Sequence, residues 1–295
     1  MVKLRNANEK DLINLAEYMS SINSSTMMRC AYIGLDKFET LEYLKEIYED
    51  NCKAIFFIED GEKILGAVAG DVCDDNNTIE VIGPFIDLGF IERKQYGQKM
   101  IDGIKELNSQ YRLKFFIDED NLFVRELILD NNGNKIGDHY TMSMELSNYK
   151  ESQNRFKGEK KCIQYTNSEV EENDIRYQIE KLHDKLFKNS YYNGETIIRA
   201  VDEKHILDYY LEKGKVVSYI FYNIEDEGYI EFLGTDTMAR KMGYAGELLQ
   251  HAFKFMKDHS CINVELCVDA NNKAISLYEK FLFKVDEKNQ AYVVL

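Results

Sequence analysis

The 295-residue sequence lacks any apolar stretch of membrane-spanning length. Its opening residues, Met1 to Asn6, also lack the apolar core of a secretory signal. A cytoplasmic globular protein with no membrane partner is therefore expected. Positive charge is scarce: 37 Lys and Arg stand against 52 Asp and Glu, a formal net charge of −15. Nucleic-acid binding, which neutralises phosphates with clustered cations, is disfavoured on that ground. The six cysteines (Cys30, Cys52, Cys73, Cys162, Cys261, Cys267) show no Cys-x-x-Cys or Cys/His ligand spacing, so no metal is expected. No cysteine is paired with a histidine in a recognisable motif either, and nothing demands a covalent enzyme intermediate. Cys261 and Cys267 read as small core residues.

What is present is an ordinary globular composition, 44% hydrophobic and 12% aromatic, on a chain long enough for two domains with separate cores. The most informative stretch is Arg240-Lys241-Met242-Gly243-Tyr244-Ala245-Gly246. It follows a strand pattern, Tyr229 to Thr235, and opens a helix whose apolar face carries Leu248, Leu249, Ala252, Phe253 and Met256. Amides at such a helix start lack intrahelical acceptors and carry the positive end of the dipole. With small residues at Gly243 and Ala245, the turn is an anion cradle suited to a pyrophosphate. It is neither a Walker loop nor a dinucleotide fingerprint, since the Lys-Ser/Thr pair and the third glycine are missing.

The next segment alternates Val264, Leu266 and Val268 as a strand, then runs from Asn271 through Ala274, Leu277 and Tyr278 to Phe283. The two segments together resemble the GNAT superfamily of acetyl-CoA-dependent N-acetyltransferases. Arg240, Gly243 and Ala245 match its first motif, Q/R-x-x-G-x-G/A. Asn271, Ala274, Leu277, Tyr278 and Phe283 match its second, N-x-x-A-x-x-L-Y-x-x-x-G-F, except that Leu282 replaces the glycine before the last aromatic.

The resemblance implies an α/β fold of mixed, mostly antiparallel sheet flanked by helices, with acetyl-CoA as cofactor. Met242 to Gly246 would hold the pyrophosphate, with Arg240 and Lys241 adding charge and Lys273 near the 3′-phosphate. Leu233, Gly234 and Thr235 would pair with the pantetheine arm, and Asn271 and Ala274 would complete the cofactor site. Tyr278, one helical turn after Ala274, would donate a proton to the leaving thiolate, although a core aromatic at that place is the alternative. Glu231, on the face of Leu233 and Thr235 if alternation holds, is the candidate general base. His183, His205 and His251 are alternatives by chemistry alone, His251 on the outer face of its helix.

Leu186 to Glu195, with Tyr191, Tyr192 and Glu195, would line the amine pocket. The acceptor is expected to be a primary amine of a small molecule or peptide, attacking directly in a ternary complex. The negative charge would steer a cationic amine, or simply keep the protein soluble. The alternative from another class is a non-catalytic acyl-CoA-binding sensor. A monomer or homodimer fits either reading.

The first half repeats the plan. Leu12, Leu15, Ala16 and Met19 give an amphipathic helix after an Asn8/Asp11 cap, and Ala54 to Ile58 and Ile64 to Ala69 read as a hairpin. Arg93 to Lys99 reads as a loop before a helix bearing Met100, Ile101, Ile104 and Leu107. Gly97 to Gly243 and Asn121 to Asn271 are both about half the chain apart, which points to a tandem duplication. Lysine near the cradle and the missing tyrosine mark the first copy as degenerate, though Lys99 would still suit a phosphate. Domains are expected at 1–150 and 160–295, joined by a polar linker at 147–161.

Overall fold

The computed structural model describes the chain apart from residues 1, 88, 151–160, 167–172, 189, 191, 225 and 226; most of the expected linker lies outside the described residues. Two compact units emerge, 1–139 with 287–295, and 140–286.

The first unit runs β1 (Lys3–Asn6), α1 (Leu12–Asn23), α2 (Lys37–Asp50), β2 (Ile55–Asp60), β3 (Lys63–Cys73), β4 (Thr78–Ile86), α3 (Arg93–Lys105), β5 (Arg112–Asp118) and α4 (Leu122–Asp130), followed by β6 (Asn134–Glu145). The second contains β7 (Ile163–Gln164), α5 (Asn173–Leu186), α6 (Gly194–Arg199), β8 (His205–Glu212), β9 (Lys215–Asn223), β10 (Gly228–Thr235), α7 (Tyr244–Asp258), β11 (Asn263–Asp269) and α8 (Ile275–Lys280), followed by β12 (Lys284–Val294).

The division expected at 1–150 and 160–295 gives way to interleaved units, because the last strands are exchanged. β12 pairs antiparallel with β5, Asn289 opposite Asp118 through Val294 opposite Leu113, and buries Tyr292 and Val294 in the first unit's core. β6 lies beside β11 and gives Met142 and Met144 to the core of the second. The strand order is β1-β2-β3-β4-β5-β12 in the first unit and β6-β11-β10-β9-β8-β7 in the second. Sequence periodicity marks a strand but not its partner, and the exchange is invisible to it.

Each sheet carries helices on both faces, as the two-sided burial of its strands requires. In the second unit, alternate residues of β9 serve two cores: Tyr219 and Phe221 pack with α5 and α6, Ile220 and Tyr222 with α7 and α8. In the first, α1 and α2 cover one face and α3 and α4 the other. The amphipathic face read for α1 is buried at Leu12, Leu15, Ala16 and Met19, and Asn8 and Asp11 form the capping box before it. The hairpin of β2 and β3 turns at Gly61, whose φ is 65°. α3 begins at Arg93, so the stretch read as a loop is already helical.

Candidate active site

β10 pairs in parallel with β11 only from Gly228 to Ile230, opposite Val264 to Leu266. The register with β11 ends at Ile230, while the other edge stays bonded to β9 as far as Thr235 opposite Ser218. The parting leaves backbone donors and acceptors of Leu233 to Thr235 facing an open slot. A register shift between Ile230 and Phe232 places Glu231 in a bulge.

That bulge corrects the expected face of Glu231. Ile230 packs in the α7/α8 core and Phe232 in the α5/α6 core, and Leu233 returns to the α7 side. Asn223 Nδ2 donates to Glu231 Oε1 at 3.0 Å. Asn223 lies on the face of Phe221, so Glu231 faces α5 and α6 and does not share the face of Leu233 and Thr235. Alternation fails because the bulge contributes one residue too many. Thr235 Oγ1 meets Ser218 Oγ at 2.7 Å, and Ser218 Oγ donates to the carbonyl of Gly234 at 2.8 Å. Gly234 itself is tight: a Cβ there would stand 2.5 Å from the Tyr219 ring.

Beyond Thr235 the chain turns through Arg240, whose Nε donates to the Thr235 carbonyl at 3.3 Å, and Lys241, with φ 63°. Gly243 then takes φ 102° as the N-cap of α7 and makes no side-chain cap bond. A residue with a side chain is rarely found there, which is the physical reason for this glycine. Its carbonyl accepts from Glu247 N–H, which leaves the amides of Tyr244, Ala245 and Gly246 without intrahelical acceptors. Arg240, Lys241 and Met242 are exposed, and Ala245 and Gly246 half-buried. Tyr244 is buried, its hydroxyl donating to Glu212 Oε2 at 2.7 Å. The residues fit a pyrophosphate: the first-turn amides of Ala245 and Gly246, no Cβ at Gly243, and two cationic side chains.

Tyr278 sits in α8 one turn after Ala274, whose carbonyl accepts its N–H at 3.1 Å. It is 7% exposed, packed edge-on against Phe283, and burial pushes its phenol up to about 12. Its hydroxyl makes no hydrogen bond among the described residues. Leu282, where the family motif has glycine, takes φ 71°, so the left-handed turn is kept at a cost in strain. The N–H of Phe283 still closes back on the Tyr278 carbonyl at 3.2 Å. Asn271 is exposed, and Asn272 closes the turn by accepting from Ala274 N–H at 2.9 Å. Lys273 is exposed.

On the α5 face, a pocket of about 460 Å³ is lined by Glu180, Asp184, Phe187, Lys188, Ser190, Tyr192, Asn193 and Glu195. The rings of Phe187 and Tyr192 pack on Phe232 of β10, beside Glu231. Tyr191 lies outside the described residues. His183 is fully buried: Nδ1 meets Tyr219 Oη at 2.6 Å and Nε2 the Tyr192 carbonyl at 2.9 Å. Burial lowers its pKa and so favours the neutral form, and both ring nitrogens are engaged by Tyr219 and Tyr192. His205 pairs with Asp202. The α5/α6 side of β11 also carries residues that the motif reading passed over: Glu265 and Cys267 are exposed, and Cys267 is not a core residue. Alternation along β11 was the signal available for them.

The first unit keeps the parting, since β4 pairs with β5 only from Thr78 to Glu80. Its cradle differs. Gly97 lies inside α3 against Leu127 and Phe123 of α4, whereas Gly243 is the N-cap of α7, so the two glycines do not hold the same place. Asn121 caps α4, and Asn272 serves α8. At the end of α4 the N–H of Gly133 closes on the Ile128 carbonyl as that of Phe283 closes on Tyr278, and Asn132 takes the left-handed φ of Leu282, so Ile128 fills the place of Tyr278. Lys94 is held by Glu126 and Asp130, and Lys99 lies over the Tyr96 ring.

Residues 166–283 match the acetyltransferase (GNAT) family. No curated protein sequence matches the chain. Among solved structures it is similar to a GCN5-related N-acetyltransferase from Sphaerobacter thermophilus, with TM-score 0.72, 13% identity, 99% of this chain and 95% of that one covered. It is equally similar to a tandem GNAT protein from the clavulanic acid biosynthesis pathway, determined without AcCoA, with TM-score 0.71, 10% identity and coverage of 99% and 98%. A GCN5-related glucosamine N-acetyltransferase region of a fungal multi-domain GH3 beta-N-acetylglucosaminidase gives TM-score 0.68 at 12% identity, covering 99% of this chain and 38% of that one.

Proposed function

We propose that the chain is a tandem member of the GNAT superfamily whose second unit transfers an acetyl group from acetyl-CoA to a primary amine of a small molecule or peptide by direct attack. The observation that carries this reading is the parting of β10 from β11 beside an α7 N-terminus whose amides no side chain caps. Acetyl-CoA supplies the thioester carbon on which the amine forms its new bond, and departs as the thiol. Met242 to Gly246 hold the pyrophosphate, with Arg240 and Lys241 alongside, and Leu233 to Thr235 hold the pantetheine arm by backbone bonds. In this reading Asn271 and Ala274, at the start of α8, complete the cofactor site.

Glu231, aimed at the α5 face by the bulge, takes the ammonium proton directly or through a water. Tyr278 keeps its proton at neutral pH and gives it to the departing sulfur. The pocket over Phe232 is lined by Glu180, Asp184 and Glu195 beside Lys188. Arg176 neutralises Glu180 and Arg199 neutralises Glu195, while Asp184, which accepts from the Gly194 N–H, stands against Lys188; the lining itself keeps an excess of acidic oxygens over basic nitrogens. That balance supports a cationic acceptor. No helix among the described residues is long and apolar enough to cross a membrane.

Release of free thiol from acetyl-CoA, measured against a panel of primary amines and diamines, tests the reading. Amine-dependent release supports transfer. Tight acetyl-CoA binding with no release from any amine points instead to an acyl-CoA sensor.

A further inference from the structure

Away from the cradle, three segments of the second unit bring Cys162, Asp208 and His251 together, with their donor atoms all within 4.8 Å of one another. Asp208 projects from β8 into the α7 side of the sheet and is fully buried. Its Oδ2 accepts from Tyr222 Oη at 3.1 Å and lies 2.9 Å from His251 Nδ1. Its Oδ1 is buried and has no hydrogen-bond partner among the described residues. Cys162 directly precedes β7, which is paired with β8 so that Gln164 faces Asp208.

A buried carboxylate oxygen without a donor is costly, and a histidine on the other oxygen does not relieve it. The cluster is not a cysteine nucleophile. Burial and the charge of Asp208 raise the Cys162 thiol, whereas a catalytic cysteine needs a lowered one. A divalent cation removes both difficulties, giving Oδ1 a partner and displacing the thiol proton.

We propose that Cys162, Asp208 and His251 form a zinc-class metal site. One sulfur, one oxygen and one imidazole nitrogen are the donors that Zn²⁺ takes in tetrahedral geometry. With bonds of about 2.0–2.3 Å such donors stand roughly 3.3–3.8 Å apart, so a closing shift of about 1 Å completes the site. The His251 side chain is 43% exposed, which provides an access path and room for water as the fourth ligand. Binding releases the Cys162 proton and any proton held by His251. The ion ties β7 and β8 to α7, two turns beyond the cradle. Sequence spacing gives no sign of this, because the ligands come from the residue before an edge strand, from that strand's neighbour and from a helix, far apart in the chain.

The full-length protein, freed of metal with a chelator, is titrated with Co²⁺ and followed by absorption. One ion per chain with four-coordinate visible bands and a thiolate-to-cobalt band is expected, displaced by Zn²⁺. Cys162→Ser is expected to lose the thiolate band. His251→Gln, at a half-exposed position that should fold normally, is expected to weaken binding at least tenfold and abolish the rise in Tm that Zn²⁺ gives the parent. Cys52→Ser and Cys267→Ser are expected to bind as the parent does. No stoichiometric binding, or a thiolate band that survives Cys162→Ser, or affinity unchanged in His251→Gln, would overturn the proposal. None of these readouts depends on acetyl transfer.

Discussion

Replacing Tyr278 by phenylalanine separates a chemical role from a packing role. The ring is packed against Phe283 while its hydroxyl has no hydrogen-bond partner among the described residues, so Tyr278→Phe removes the oxygen and keeps the packing. Deleting a hydroxyl that makes no hydrogen bond among the described residues changes stability by no more than about 0.5 kcal/mol, a Tm shift within about 2 °C. Loss of a positioned general acid costs about 10²- to 10⁴-fold, or roughly 2.7–5.5 kcal/mol in the barrier. A thiolate leaves readily, which places the expected loss in kcat near the lower end.

The raised pKa also sets the pH behaviour. A phenol near 12 stays protonated through the neutral and mildly basic range, so Tyr278 contributes no falling limb to the rate profile below about pH 10. The assay is thiol release at saturating acetyl-CoA across pH, beside thermal melts of both proteins. A loss in kcat under about threefold at unchanged Tm would refute the acid role. A loss in rate that merely followed a fall in Tm would make Tyr278 a core aromatic.

Glu231→Gln is expected to lower kcat/KM about 10²-fold at neutral pH and to remove the rising limb of the profile, with acetyl-CoA affinity unchanged; a retained rising limb would exclude Glu231 as the base. Leu282→Gly relieves a left-handed residue while adding freedom to the unfolded chain, so denaturant melts should show a net gain of about 0.5–1 kcal/mol, and a loss would contradict the strain argument. His183 has its pKa lowered by burial, so its neutral form contributes stability above its unfolded pKa of about 6.5, lost as pH falls through the folded value. The drop in Tm between pH 7 and pH 5 should be shallower in His183→Gln than in the parent; parallel slopes would show that another group is responsible.

The motifs were legible because they are local. The turn at Gly243, the α7 face and the spacing from Ala274 to Tyr278 all lie within one strand–helix passage, where periodicity and backbone sterics act directly. What the sequence hid depends on pairing. The bulge at Glu231 inverted the expected face, and the exchange of β6 and β12 dissolved the simple boundary near residue 150. Matching the repeats by nearest glycine set Gly97 against Gly243; Gly97 lies inside α3, whereas Gly243 is the N-cap of α7. Leu282 shows the opposite case, a departure from a motif that leaves the backbone conformation intact.

Calorimetric titration of the parent and Gly243→Glu with acetyl-CoA tests the central claim most directly, because a carboxylate beside the uncapped amides of α7 opposes the pyrophosphate. Micromolar binding at one cofactor per chain, lost in Gly243→Glu while the fold is retained by circular dichroism, is the expected result. No binding by the parent, two cofactors per chain, or undiminished binding by Gly243→Glu would contradict the assignment of the cofactor to the second unit.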